Sequence, residues 1–255
     1  MIEYPLTKAN RIRLARAFRD VPRVDLSIEC ALESQMGRAY VDDIDHPVAF
    51  KIQVGPFFYL AGDPASTAAQ AMLGEIGVYM LFMPSAPGWL EAAQAMYADR
   101  LMPIDRYSFS SGQLSPDRLE QLCLVSAYAS RVEQMDLEFA QSLWGREHFI
   151  DLSDYDSPGD FIERGTGFYV RDGGSVAGAA FASLACSRGI EVSLYVDEPY
   201  RRKGMATVLS ANLLRWCMQH STDPHWDAAN PESCALAIKL GYKPQGSYLA
   251  HYLRE

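Results

Sequence analysis

The chain has 255 residues, of which 49% are hydrophobic and 22% charged, and its 23 Lys and Arg against 32 Asp and Glu give a formal net charge of −9. This composition excludes a disordered, collagenous or coiled-coil chain, and the length allows a buried core without metal or disulfide staples. The acidic balance argues against general nucleic-acid binding, which needs a basic surplus, and leaves amines and basic peptides as charge-compatible ligands.

In chain order, Ile12, Leu14, Ala15 and Phe18 recur at helical spacing behind Thr7 as a cap. Three strands follow at Arg38–Asp42, Pro47–Val54 and Phe57–Ala61, rich in β-branched and aromatic residues. The Gly62–Ser66 turn leads into an Ala-rich helix ending near Gly74. Val78–Met83 reads as a buried strand, Pro87 starts a helix running to about Arg100, and Met102–Ser110 reads as a strand. Ser110–Asp117 has the composition of a linker. Beyond it come a mixed region to Phe149, a short helix at Ser157–Arg164, and strands at Gly167–Arg171, Val176–Leu184 and Glu191–Val196. Asp172-Gly173-Gly174 marks a hairpin between the first two of these. Lys203–His220 is the strongest helical pattern, with Met205, Leu209, Leu213 and Trp216 on one stripe. A strand at His225–Ala228, a helix at Pro231–Leu240 stopped by Gly241, and a strand at Tyr248–Leu253 complete the chain.

Both halves show strands, a glycine turn, a helix, a strand, a proline-started helix and a strand, with Pro87 and Pro231 at matching points. The expectation is an α+β fold: a mixed, mainly antiparallel sheet flanked by helices, built as a tandem of two similar halves, with domains at 1–112 and 113–255. The aromatic residues Phe50, Phe57, Phe58 and Tyr59 are read as core.

The segment that carries chemistry is Glu191-Val-Ser-Leu-Tyr-Val-Asp-Glu-Pro-Tyr-Arg-Arg-Lys-Gly-Met-Ala-Thr207. A strand ends, a short turn follows, and Arg201, Arg202, Lys203, Gly204, Met205 and Ala206 open the long helix. The first helical turn leaves N–H groups without internal acceptors, and the macrodipole adds partial positive charge. Small residues at Gly204 and Ala206 admit an anion close to the backbone. These features specify a phosphate or pyrophosphate site. Neither a P-loop nor a dinucleotide-binding glycine fingerprint is present.

Arg201, Gly204 and Ala206 match [Q/R]-x-x-G-x-[G/A], and Asn230, Ser233, Leu236, Lys239 and Gly241-Tyr242 follow as a strand-end Asn and a helix closed by Gly-aromatic. In these motifs residues 120–255 resemble the GNAT superfamily of acyl-CoA-dependent N-acyltransferases. The first half then looks like a degenerate copy, because Gly62–Thr67 lacks the Arg and the G-x-A pattern. The resemblance implies acetyl-CoA as co-substrate, with the amides of Arg202, Lys203, Gly204, Met205, Ala206 and Thr207 on the pyrophosphate beside Arg201. It implies that the Leu194–Tyr195–Val196 strand carries the pantetheine arm, splayed from its neighbour to leave a gap for the thioester. Asn230 and Ser233 join the same site, although Asn230 serves equally as the helix cap.

Acetyl transfer to an amine needs a proton acceptor, a polarised carbonyl and a leaving thiolate. Strand alternation places Glu191, Ser193 and Tyr195 on one face, and Glu191 is the first candidate base, ahead of Glu198 and Asp227. Many family members carry a Tyr four residues before the helix-ending Gly, where this chain has Ala237, so Tyr248 is the candidate acid, with Tyr242, Tyr252 or water as substitutes. The five His residues show no ligand spacing and no metal site is expected. The five cysteines lack any CxxC pair and are read as reduced thiols, Cys234 included. No signal peptide or bilayer-spanning run is seen, which points to the cytoplasm without a membrane partner. The reading is an N-acetyltransferase acting on a primary amine of a small molecule or peptide, with a cationic acceptor favoured by the net charge and oligomerisation left open. A non-catalytic acyl-CoA sensor is the alternative, and a scaffold without ligand is the third.

Overall fold

A computed structural model describes residues 1–33, 36–78, 80–146 and 149–255. The elements are β1 (Ile2–Glu3), α1 (Lys8–Ala17), α2 (Ser27–Leu32), β2 (Arg38–Val41), β3 (Ala49–Val54), β4 (Phe57–Gly62), α3 (Thr67–Leu73), β5 (Leu81–Phe82), α4 (Trp89–Tyr97), β6 (Leu101–Ser110), α5 (Pro116–Leu124), β7 (Glu133–Gln134), α6 (Leu137–Leu143), α7 (Pro158–Arg164), β8 (Gly167–Asp172), β9 (Ser175–Cys186), β10 (Gly189–Val196), α8 (Met205–Gln219), β11 (Pro224–Ala228), α9 (Pro231–Leu240) and β12 (Lys243–Leu253). They form two compact units, Met1–Arg106 with Ser247–Glu255, and Tyr107–Gly246. The chain passes from one unit to the other within β6 and again within β12.

In the first unit the strand order is β1-β2-β3-β4-β5-β12, with β12 represented by its 247–253 stretch. Among the described ladders of this unit β4 and β5 run parallel, and the others are antiparallel. Phe58, Leu60, Met72, Leu73, Phe82 and Trp89 form one buried cluster, which joins α3 and α4 to the sheet. Phe50, Phe58 and Tyr59 are buried as expected, whereas Phe57 is half-buried. His251 on β12 stands opposite Phe82, and its burial lowers the imidazole pKa from the ordinary 6.5.

In the second unit the order is β6-β11-β10-β9-β8-β7, and among the described ladders β10 and β11 run parallel while the others are antiparallel. The Lys203–His220 stripe packs as its period demands: Met205, Leu209 and Leu213 are buried, while Trp216 is half-buried and stacks on His220 at 3.9 Å. Gly178 of β9 makes room for this helix, since a Cβ there would lie 2.8 Å from Met205 Sδ and 3.2 Å from Leu209 Cδ1. Leu119 of α5 and Ala237 and Leu240 of α9 share a cluster with Ala211, Leu214, Trp226 and Tyr242. Phe139 of α6 stacks on Tyr169 of β8 at 3.8 Å, and Tyr155 OH donates to the Ala182 carbonyl at 3.0 Å.

Side-chain caps start six of the helices where the sequence offers Ser, Thr, Asp or Asn: Thr7, Ser66, Ser115, Asp136, Ser157 and Asn230 each accept from the amide three residues on. Several expectations shift. α2 lies where no helix was expected, and its start has no side-chain cap. The Val78–Met83 strand shrinks to Leu81–Phe82 plus a single bridge from Val78 to Leu253, with Tyr79 outside the described residues. The expected linker Ser110–Asp117 overlaps the first turn of α5, because Ser115 caps it and Pro116 takes the first helical position. β12 begins at Lys243, five positions before Tyr248.

Two outcomes follow. Because the folded value of His251 is depressed, its stabilising effect is complete above the unfolded value of about 6.5 and is lost as pH falls through the folded value. Wild-type Tm therefore falls more steeply than that of H251Q between about pH 7 and about pH 5 in thermal scans. Gly189 has φ +138° and a Cβ there would lie 2.0 Å from the Asp223 carbonyl oxygen. G189A then costs about 1–3 kcal/mol in denaturant unfolding, and an unchanged midpoint would show that this approach relaxes freely.

Candidate functional site

β10 and β11 pair for two rungs only, Ile190 opposite Pro224 and Glu191 opposite His225. Ile190 N–H donates to the Asp223 carbonyl at 2.9 Å. Beyond that point β10 carries a bulge between Glu191 and Val192 and continues its ladder with β9, whereas β11 pairs with β6 through Trp226, Asp227 and Ala228. From Val192 to Val196 the β11 side of β10 therefore has no ladder partner among the described residues. Asp197 N–H donates to the Ala177 carbonyl at 2.9 Å, so alternation turns the main-chain groups of Leu194 and Val196 towards the open side. Arg201 Nε donates to the Val196 carbonyl at 3.0 Å, which leaves the Val196 amide as the group on offer there. The expected simple alternation of Glu191 with Ser193 and Tyr195 is broken by the bulge, whose extra residue re-aims the side chains around it. Tyr195 stacks on the exposed ring of Phe149 at 4.8 Å, and its hydroxyl pKa is raised by burial and by the Asp197 carboxylate.

The turn into α8 has the geometry of an anion cradle. Arg202 adopts φ +62° and Gly204 φ +85°, and the first helical bond runs from Val208 N–H to Gly204 O at 3.2 Å. The amides of residues 202–207 have no acceptor within the protein among the described residues. A Cβ on Gly204 would meet nothing within 4 Å, so the space over the turn is open. Arg201, Arg202 and Lys203 are exposed, while Met205 is buried and offers only its backbone. A fourth cation arrives from α9: Lys239 Nζ donates to the hydroxyl of the buried Thr207 at 3.1 Å. The sequence motif includes Lys239, but its approach to Thr207 depends on how α9 packs beside α8. In the first unit the Gly62–Ser66 turn is built differently. Asp63 accepts from Ala65 N–H and Ser66 from Ala69 N–H, so two amides there are satisfied by side chains and a carboxylate occupies the turn.

Asn230 caps α9, its Oδ1 accepting from Ser233 N–H at 2.8 Å. Ser233 Oγ accepts from Trp226 Nε1 at 3.2 Å. Glu191 is 8% exposed and faces His225, whose Nδ1 lies 3.1 Å from Oε1 and 2.8 Å from Oε2. Scattered histidines gave no hint of this pair, which exists through a parallel register between residues far apart in the chain. Glu198 is exposed and Asp227 half-buried. Tyr248 and Tyr252 lie in the 247–255 stretch that belongs to the first unit. Ala237 is fully buried in the core cluster, so position 237 packs inward. Tyr242 drops out as a substitute acid: its hydroxyl is buried, donates to the Pro224 carbonyl at 2.8 Å, and its pKa is pushed well above the ordinary value by burial. Burial likewise raises the Cys234 thiol, which keeps it protonated. No group of three or more His, Cys, Asp or Glu among the described residues is placed to hold a metal, and no described helix is long and apolar enough to cross a membrane.

The sequence pattern of the family described as GNAT acetyltransferase matches residues 23–251, reaching well upstream of the 120–255 stretch that carries the motifs. The uncharacterized N-acetyltransferase YdfB of Bacillus subtilis (strain 168) is 24% identical over 228 residues, covering 85% of each chain. A crystal structure of a GCN5-related N-acetyltransferase-like protein from Streptococcus suis 89/1591 is similar with a TM-score of 0.81 at 27% identity, covering 96% of this chain and 98% of that one. A tandem GNAT protein from the clavulanic acid biosynthesis pathway shares the fold with a TM-score of 0.52 at 14% identity, over 98% of this chain and 96% of that one. Membership supports acyl-CoA-dependent transferase activity in general, and the breadth of the match leaves no ambiguity about lineage: the chain belongs to the GNAT acetyltransferase family.

Proposed function

We propose that this protein moves an acetyl group from acetyl-CoA to a primary amine of a small molecule or peptide. The observation that carries the reading is the pairing of two features in one unit: a run of amides at 202–207 with no acceptor among the described residues, and a β10 edge at 192–196 that β11 leaves after two rungs. The amides, with Arg201, Arg202 and Lys203 around them, suit the pyrophosphate of CoA. The Leu194 and Val196 main chain suits a pantetheine arm laid along β10 beside Tyr195. Asn230 and Ser233, at the start of α9, supply polar groups to the same arm. Glu191, at the last rung before the strands part, supports removal of the amine proton there. The leaving thiolate needs little help, since a thiol pKa of about 8.5 makes it a tolerable leaving group near neutrality. A cationic acceptor agrees with the net charge of −9.

The first unit repeats the element order of the second: three antiparallel strands, a turn, a helix, a strand parallel to the third, and another helix. This repetition supports a tandem of two GNAT-like halves, roughly 1–112 and 113–255, in which only the second binds acyl-CoA. The carboxylate of Asp63 in the first-unit turn supports that division of labour. A second reading, a non-catalytic acyl-CoA sensor, has one specific support: position 237 is a buried alanine where many relatives carry a tyrosine.

The testing experiment is calorimetric titration with acetyl-CoA followed by mass spectrometry against a panel of amines and basic peptides. Binding with transfer bears out the enzyme; binding without transfer to any amine favours the sensor; absence of binding overturns both. G204V places a side chain in the open space over the turn at a positive φ, and is expected to weaken acetyl-CoA binding about 100-fold or more, since that loss equals about 2.7 kcal/mol. Wild-type affinity in a folded G204V protein would remove the turn from the site. Asn230 separates two roles. N230D keeps the cap and N230A loses about 1 kcal/mol of stability. If the side-chain amide also donates to pantetheine, both variants lose acetyl-CoA affinity, whereas a cap alone leaves N230D affinity unchanged.

A further inference from the structure

We propose that the exposed face of α1 and the loop beside it form a contact for a second copy of this chain, giving a two-fold dimer; the inference goes beyond the acyl-transfer reading and does not rest on it. Residues 8–19 hold Lys8, Arg11, Arg13, Arg16 and Arg19 and no acid, in a chain whose net charge is −9. Helical spacing sorts these residues by face. Leu14 and Phe18 are buried. Lys8, Ile12, Arg16 and Arg19 recur at i, i+4, i+8 and i+11, and all four are exposed, Ile12 to 50%. The three cations of this stripe pair with no carboxylate among the described residues. The two cations flanking it are already engaged: Arg11 Nη1 donates to the Glu33 carbonyl at 3.4 Å, and Arg13 Nη1 to the Asp45 carbonyl at 2.9 Å.

The Arg13 contact brings the 42–48 loop, between β2 and β3, alongside the stripe. In that loop Asp43, Asp45 and Val48 are exposed, Val48 to 48%. The loop is held by its own carboxylates. Asp42 Oδ1 accepts from the amides of Val48 and Ala49, each at 2.9 Å. Asp43 Oδ1 accepts from the amides of His46 at 2.7 Å and Asp45 at 2.9 Å. These two donors, that of His46 foremost, hold the Asp43 carboxyl below its ordinary value and keep it charged. A loop fixed in this way loses little freedom on docking. The patch therefore carries a cationic stripe and an anionic loop side by side, each with one exposed apolar side chain. A two-fold axis turns such a patch onto itself, setting each stripe against the loop of the other copy and each loop against its stripe. Ile12 and Val48 then give the contact an apolar part within a charged rim. A nucleic acid or an anionic lipid surface would meet the stripe but be repelled by Asp43 and Asp45 beside it, whereas a second copy satisfies both signs.

The test is sedimentation velocity of the full chain without acetyl-CoA, so its outcome is separate from that of the acyl-transfer reading. Wild type is expected to sediment as a dimer at low salt. Its dimer dissociation constant is expected to rise about tenfold or more at about 1 M salt, where the Debye length is about 3 Å. R16E/R19E reverses the stripe. D43N/D45K reverses the loop, and the side-chain oxygen retained at position 43 can still accept from the two amides. Each variant is expected to be monomeric with the circular dichroism of wild type. An equimolar mixture of the two is expected to regain a dimer, because the reversed stripe of one meets the reversed loop of the other while the two unaltered parts also meet. A wild type that is monomeric across the accessible concentrations, a dimer insensitive to salt, a variant that stays dimeric, or a mixture of folded variants that stays monomeric overturns the proposal. A monomeric wild type that co-sediments with phosphatidylserine vesicles assigns the stripe to a lipid surface and likewise overturns it.

Discussion

Everything in the candidate site depends on two parallel strands that pair for two rungs and then part. Parallel pairing normally continues because each unpaired main-chain group forfeits a hydrogen bond. Here β11 is drawn to β6 through Trp226, Asp227 and Ala228, and β10 is held by β9 along its whole length. Gly189 permits the close approach to Asp223 that fixes the first rung, and the bulge after Glu191 follows the second. The donors and acceptors left on β10 are then available to an extended ligand that behaves as an added strand. The α8 turn follows the end of this edge in sequence, and its first-turn amides, which have no acceptor among the described residues, are the groups that the proposed function assigns to the pyrophosphate.

Local charge and global charge oppose each other. The chain is acidic overall, yet Arg201, Arg202, Lys203 and Lys239 converge on one turn whose helix already presents partial positive charge. Global acidity slows approach of a polyanion, so the cradle must rely on short-range, oriented donors. In the Gly62–Ser66 turn of the first unit, by contrast, one aspartate and one serine accept from the amides of Ala65 and Ala69.

A large part of this was legible in the sequence. The 3.6-residue stripe of α8, the Thr7 and Asn230 caps, the Asp172-Gly173-Gly174 hairpin and the R-x-x-G-x-A turn depend on interactions within a few residues, and such interactions read directly from local order. Val192, Glu191 and His225 show where that legibility stops. A bulge inserts one residue into a ladder without a compositional mark, so period-two reasoning carried the alternation straight through it. Likewise, α2 has no side-chain cap to announce it, and the buried position of Ala237 follows from helix rotation against α5 and α8.

The sequence by itself determined the α+β class, most of the element order and the strand–turn–helix course of residues 191–207, because these follow from local propensity, capping and helix-end chemistry. Tertiary structure alone decided that Glu191 meets His225, that Lys239 reaches Thr207, that Tyr242 is consumed by the Pro224 carbonyl, and that β12 passes out of the second unit at Gly246. Each of these is a contact between segments far apart in the chain, fixed by strand register and helix packing, and register depends on the sum of many weak side-chain contacts that no single stretch of sequence contains.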